Sequence, residues 1–124
     1  MDKPAQRKHH ELQAWQVAMR LAREVYQLTA LFPAREQYGL TSQLRRSAVS
    51  VPSNIAEGAA RNSTREFVHF LHIARASLSE IDTQLILARD LGFVGDEQLP
   101  NIMETLDHAF GVLGGLINSL KTRI

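Results

Sequence analysis

Apolar residues recur every three or four positions through most of this chain, and this spacing constrains the fold more than any other feature. Such spacing places the apolar residues on one face of an α-helix, whereas a half-buried strand requires alternation with a period of two. No stretch of strand length alternates in that way. We therefore predict an all-α protein whose helices cover approximately residues 9–31, 40–58, 64–91 and 96–120.

The connections between these segments carry residues that typically end or start helices. Pro33 and Gly39 mark the first connection, because proline cannot continue a helix and glycine favours turns. Ser63 followed by Glu66 is a capping box that starts the third helix, and Gly92 is a natural cap at its end. Since the connections are short, consecutive helices should be antiparallel, which predicts an up-down-up-down four-helix bundle.

The 124 residues favour one domain with one core. Residues 1–8 are polar, with Pro4 and three cations, and we expect them to form a mobile tail before a bundle domain of residues 9–124. In the first helix we expect one apolar face, with Leu21, Val25 and Leu28 beside it. The residues of this predicted core face are Leu12, Trp15, Met19, Ala22 and Tyr26.

Pro52 interrupts the second helix, although its apolar and polar faces keep helical spacing on both sides of the proline. Proline removes the amide that would bond the carbonyl of Ala48, so we expect a helix that is kinked but continuous. The hydroxyls of Ser50 and Ser53 are candidates to satisfy the freed backbone groups. The kink either lets the helix wrap its neighbours or creates a binding groove.

The charge distribution is more informative than the formal net charge of +1. Between residues 40 and 75 five arginines face only two acids, and four of them are candidate nucleic-acid contacts: Arg45, Arg46, Arg61 and Arg65. We place Arg46 on the polar face of the second helix and Arg45 nearer the solvent or a neighbouring chain. Arginine suits carboxylates and phosphates alike, so ion pairing and phosphate binding both remain open. Base stacking has little support, because aromatic residues are 6% of the chain and most lie on core faces.

Other residues argue against catalysis. The chain has no cysteine, which excludes disulfides and thiolate metal sites and fits a cytoplasmic protein, and it has no apolar run long enough to span a membrane. His69 and His72 lack the further ligands of a zinc site, and the acidic residues have the spacing of solvated helix faces.

Gly111 and Gly115, four apart, predict close helix packing in the bundle or between subunits. We expect no enzyme activity, metal or cofactor.

The stretch from Tyr38 to Phe93, above all "QLRRSAVSVPSNIAEG", "EF" and "SLSEIDTQL", resembles the proteins encoded in intervening sequences of bacterial 23S ribosomal RNA genes. The resemblance covers residues 12–120. It implies an antiparallel four-helix bundle that assembles into a ring-shaped homo-oligomer, a pentamer. It also implies similarity to the accessory protein of diversity-generating retroelements, a basic ring that engages nucleic acid and a reverse transcriptase. The "AARNS" that follows "AEG" departs from the family pattern at the corner between helices two and three.

A kinked and basic segment is well suited to a subunit junction, so four further residues are candidate structural or interface positions: Pro52, Asn54, Glu57 and Gly58. We expect a non-enzymatic homo-oligomer that binds RNA or a nucleic-acid-processing protein through its basic surface. The alternative is a protein-interaction scaffold whose arginines serve only subunit assembly.

Overall fold

The computed structural model describes residues 6–124 and consists of four α-helices with two short 3₁₀ turns. No strand occurs in the described part of the chain. The helices are α1 (Gln13–Thr29), α2 (Leu40–Ala59), α3 (Thr64–Asp90) and α4 (Leu99–Lys121). The 3₁₀ turns, Lys8–Glu11 and Ala34–Glu36, precede α1 and α2. The predicted all-α four-helix bundle is confirmed.

Each helix packs against two others, so the bundle closes on itself. α2 contacts α1 and α3, and α4 completes the circle by contacting α3 and α1. Ser47 and Ser50 of α2 bond Glu80 and Ser77 of α3, so partners run in opposite order along these two helices. The antiparallel order of the whole bundle stays a prediction.

The core is one continuous apolar cluster, with side chains such as Leu44, Leu71 and Leu106 fully buried. In α1, however, the central core residues are those that we placed beside the face, namely Leu21, Val25 and Leu28. Leu12, Trp15 and Ala22 of the predicted face pack against the core, whereas Tyr26 is 43% exposed. The prediction is therefore wrong for Tyr26. Two stripes with helical spacing lie side by side on α1, and the positions of α2 and α4 decide which of them lies at the centre of the core.

The helix ends follow local chemistry. The Ser63 hydroxyl accepts a hydrogen bond from the Glu66 amide at 3.1 Å and caps α3. At the other end Gly92 adopts φ +78°, and the amides of Gly92 and Phe93 donate to the carbonyls of Arg89 and Ala88. This pair of bonds is a Schellman motif, in which one residue adopts the left-handed conformation. Glycine favours this position because it has no side chain that would clash there.

Two predicted helix starts lie too early. Residues 8–11 form a 3₁₀ turn, and Leu12 is extended, so α1 begins at Gln13. α4 begins at Leu99, after a turn in which the Gly95 amide donates to the Gln98 side chain at 3.0 Å. Part of the predicted tail, residues 1–5, lies outside the described residues.

Pro52 is buried within an uninterrupted α2. The Asn54 side-chain amide donates to the Ser50 carbonyl at 2.8 Å and to its hydroxyl at 3.0 Å, and the Ser77 hydroxyl donates to the same hydroxyl at 2.9 Å. The Ser50 hydroxyl therefore links α2 to α3, where we expected it to bond the carbonyl that Pro52 leaves free. The kink itself stays a prediction.

Candidate nucleic-acid interface

Arg45 is directed onto α1. Its Nε donates to Thr29 Oγ1 at 2.8 Å, its Nη2 donates to the Tyr26 carbonyl at 3.3 Å, and its guanidinium lies 4.5 Å from the centre of the Tyr26 ring. The side chain is half-buried, whereas the sequence placed it nearer the solvent or a neighbouring chain. Arg45 therefore serves first to join α1 to α2.

Arg46, one residue later, is exposed and forms no ion pair within residues 6–124. It lines a groove of about 530 Å³ together with Tyr38, which is 91% exposed, and with the Tyr26–Arg45 pair. We call this the tyrosine–arginine groove, and its full lining is Tyr26, Gln37, Tyr38, Thr41, Ser42, Arg45, Arg46 and Val49. No carboxylate is among these residues.

A second groove, of about 540 Å³, lies between α2 and α3 and is lined by polar residues. Arg46 and Glu80 both line it, as does Tyr38, and the Ser47 hydroxyl lies 3.4 Å from Glu80 Oε2. Because this groove holds both an acid and a base, it has no strong preference for anions.

The corner between α2 and α3 holds the other two candidate arginines. Arg61 pairs with Glu57 and lies 4.8 Å from the centre of the Phe70 ring. Arg65 is exposed in the first turn of α3 and makes no ion pair in the described residues. Below them Gly58 is buried against α3, since a Cβ there would lie 2.9 Å from the Phe70 Cβ. Gly58 therefore allows the two helix backbones to approach closely.

A third groove, of about 370 Å³, opens at this corner. Three cations from separate elements line it: Lys8 from the first 3₁₀ turn, Arg61 from the α2–α3 connection, and Arg123 after the end of α4. The amino end of α3 also contributes, through Ser63 and Thr64. We call this the corner groove, and no Asp or Glu lines it.

The four predicted arginines therefore form two separate groups. Arg46 and Arg61 are 15 positions apart, and at about 1.5 Å per residue this corresponds to about 22 Å along the helix direction. Tyr38, Lys8 and Arg123 also line these surfaces and were not predicted from the sequence. An aromatic residue in the polar connection "AREQYG" was the only available signal, because the two cations meet only through the fold.

The histidines make local contacts. His72 Nδ1 lies 3.0 Å from Arg75 Nη2, and burial lowers the pKa of His72, with the charges of Arg75, Lys121 and His69 acting in the same direction. Burial, then His10 and Arg7, also lowers the pKa of His9. In residues 6–124 no three histidines or acids are grouped so that they could hold a metal ion. No helix of that part is both long and apolar enough to cross a bilayer.

Gly111 and Gly115 show no close packing within the bundle. A Cβ at either position would meet no atom within 4 Å. The predicted close approach of helices inside the bundle is therefore wrong at these glycines, and Gly58 provides such an approach instead. Packing between subunits at these positions stays a prediction.

Residues 10–115 match the family model for 23S rRNA-intervening sequence proteins. The chain belongs to this family. The match includes Tyr38 and all four candidate arginines, whereas Lys8 and Arg123 lie just outside it. This member of the 23S rRNA-intervening sequence protein family is also similar to a crystal structure from Bacteroides thetaiotaomicron VPI-5482. That structure is a protein of unknown function from the S23 ribosomal protein family, and it shares the fold with a TM-score of 0.77 at 22% identity. The similarity covers 84% of this chain and 97% of that chain. No match was found among curated proteins.

Proposed function

We propose that this protein is a non-enzymatic homo-oligomer that binds the phosphate backbone of RNA at the corner groove. The observation that carries the proposal is the meeting of Lys8, Arg61 and Arg123 on one groove without a carboxylate in its lining. Lysine and arginine at a groove of this kind favour phosphates, and contacts of this type make binding dependent on salt and weakly dependent on sequence.

The ion pair of Arg61 leaves this residue available to phosphate. The Arg61 and Glu57 side chains are 43% and 54% exposed, and ion pairs at such exposure contribute about 0–1 kcal/mol. A phosphate can therefore replace or share the contact at little cost. Arg65, exposed beside the groove, extends the positive surface along α3.

Self-association is supported by the outer face of α3. The exposed residues Ile73, Ala76, Glu80, Thr83 and Leu87 have the three-and-four spacing of a coiled-coil seam, and three of them, Ile73, Ala76 and Leu87, are apolar. Ile73 is 37% and Leu87 47% exposed, so a second copy would bury apolar surface there. We propose, following the resemblance, that copies form a ring of five, in which several corner grooves act together on one RNA.

A salt titration tests RNA binding. Fluorescence anisotropy of a labelled single-stranded RNA is measured for the wild type and for the Arg61→Ala/Arg123→Ala variant over a range of salt concentrations. Each lost phosphate contact lowers the slope of log K against log salt by about 0.7 for a single strand, so we expect a decrease of about 1.4. The matched control is Arg20→Ala/Arg89→Ala, which removes the same charge from two exposed ion pairs elsewhere. Equal slopes for the two variants, or no binding at low salt, would contradict the proposal.

Light scattering tests assembly and separates the scaffold alternative. Leu87→Glu should reduce the particle mass, and Ile86→Glu, one residue away and off the seam, should not. If the arginine variants change the particle mass and RNA does not bind to any form, the arginines serve assembly alone.

A further inference from the structure

Tyr38 is a solvent-exposed aromatic residue in a hydrogen-bonded turn. The connection before α2 is a tight turn, in which the Gly39 amide donates to the Glu36 carbonyl at 2.9 Å and the Leu40 amide to Glu36 Oε1 at 3.0 Å. These bonds hold the backbone on the carboxyl side of Tyr38, while its side chain stays 91% exposed. An aromatic side chain with this exposure offers its faces to a ligand.

Contacts within the bundle hold Arg45 of the tyrosine–arginine groove in place. Two hydrogen bonds and the Tyr26 ring hold the Arg45 guanidinium in place, and Arg46 beside it makes no ion pair within the described range. No carboxylate lines this groove, and Glu80, which lines the neighbouring groove with Arg46, forms no ion pair with Arg46. The groove therefore suits a ligand that is anionic and carries a flat ring.

The lining favours a nucleotide over a protein segment. Val49 is the only aliphatic side chain in the lining, so there is no apolar pocket for the anchor residue of a protein partner. Gln37, Thr41 and Ser42 instead offer hydrogen-bond donors and acceptors of the kind that polar edges of a base or a ribose require.

We infer that the tyrosine–arginine groove binds an unpaired nucleotide of single-stranded RNA, with the base stacked on Tyr38 and the phosphate paired with Arg46. This inference rests on the proposed RNA binding and adds to it a second, stacking contact remote from the corner groove. At a stacked spacing of about 3.4 Å per nucleotide, the distance of about 22 Å along α2 corresponds to about six or seven nucleotides. One strand can therefore reach from one groove to the other.

The test compares Tyr38→Ala, Tyr38→Phe and Arg46→Ala in binding to a labelled single-stranded RNA of about 12 nucleotides, long enough to reach both grooves. Because base–aromatic stacking releases no counterions, Tyr38→Ala should weaken RNA affinity about tenfold and leave the salt slope unchanged. Tyr38→Phe keeps the ring and should bind like the wild type. Arg46→Ala should lower the slope by about 0.7. Since Tyr38 is exposed, its replacement should leave the fold intact, and circular dichroism of each variant verifies this.

The outcomes separate this inference from the proposed function. If Tyr38→Ala binds RNA like Tyr38→Phe, while Arg61→Ala/Arg123→Ala still lowers the slope of log K against log salt, RNA binding stands and the stacking contact is refuted. If Tyr38→Ala instead changes the particle mass in light scattering without weakening RNA binding, Tyr38 is a protein contact and the inference is again refuted. If the wild type binds no RNA at low salt, both proposals fail together.

Discussion

Replacing Gly58 with alanine should destabilise the bundle, although alanine is the better helix former. A Cβ at this position would lie 2.9 Å from Phe67 Cδ1, 2.9 Å from the Phe70 Cβ and 3.1 Å from the Phe67 carbonyl oxygen. The Phe67 ring can rotate away, but the other two atoms belong to the backbone of α3 or are attached directly to it. The alanine methyl therefore forces α2 and α3 apart.

The size of the effect follows from two opposing contributions. Adding a methyl group to a tightly packed contact costs about 1–3 kcal/mol, and replacing glycine in a helix recovers up to about 1 kcal/mol. We expect a net loss of about 1 kcal/mol in the free energy of unfolding, rising to about 2 kcal/mol if the helices move little. For a chain of 124 residues, a change of about 1 kcal/mol corresponds to about 4 °C in Tm.

Thermal and urea unfolding, followed by circular dichroism at fixed protein concentration, measure this change. Gly111→Ala is the matched control, because Gly111 lies inside α4, is exposed, and a methyl group there would meet no atom within 4 Å. The control should gain about 0.5–1 kcal/mol from helix propensity alone. If Gly58→Ala is as stable as Gly111→Ala, α2 and α3 do not pack as closely as described and the reasoning is refuted.

Further substitutions test other contacts by the same unfolding measurements. Arg45→Ala should cost about 1–2 kcal/mol because it leaves the α1–α2 contact without its hydrogen bonds, whereas Arg46→Ala should stay within about 0.5 kcal/mol; equal effects would contradict the assignment. Ser63→Ala should lose about 1 kcal/mol through the missing cap, and no loss would show that the cap is dispensable. The pKa of His72 is lowered from 6.5 in the folded protein, so the unfolded chain takes up the proton first and stability falls as the pH drops through this value. His72→Gln should remove that part of the pH dependence, and an unchanged pH profile would exclude the His72 imidazole as its source.

Features that depend on neighbouring residues in the chain were predicted well from the sequence. The cap at Ser63 and the left-handed Gly92 follow from hydrogen bonds within a few residues, and both are observed. Leu71, Leu78 and Leu85 of α3, seven positions apart, are fully buried, in agreement with their helical spacing.

Features that depend on tertiary placement were not predictable in the same way. Tyr26 and Leu21 lie on adjacent stripes of α1, and the spacing of residues cannot say which stripe meets its neighbours. The direction of Arg45 depends on where Thr29 lies after folding. The corner groove depends on Arg123 and other residues far apart in the chain, which no local pattern connects.

Because Lys8 and Arg123 line one groove, the first and last described segments of the chain lie side by side. A short linker can therefore join them, and new ends can be opened in the connection between α3 and α4, after the Schellman motif. Such a circular permutant keeps every helix between the same two neighbours. It also moves the termini to the carboxyl end of α3, about 40 Å away for a helix of 27 residues. Fluorophores or affinity tags attached to these termini then lie far from the corner groove.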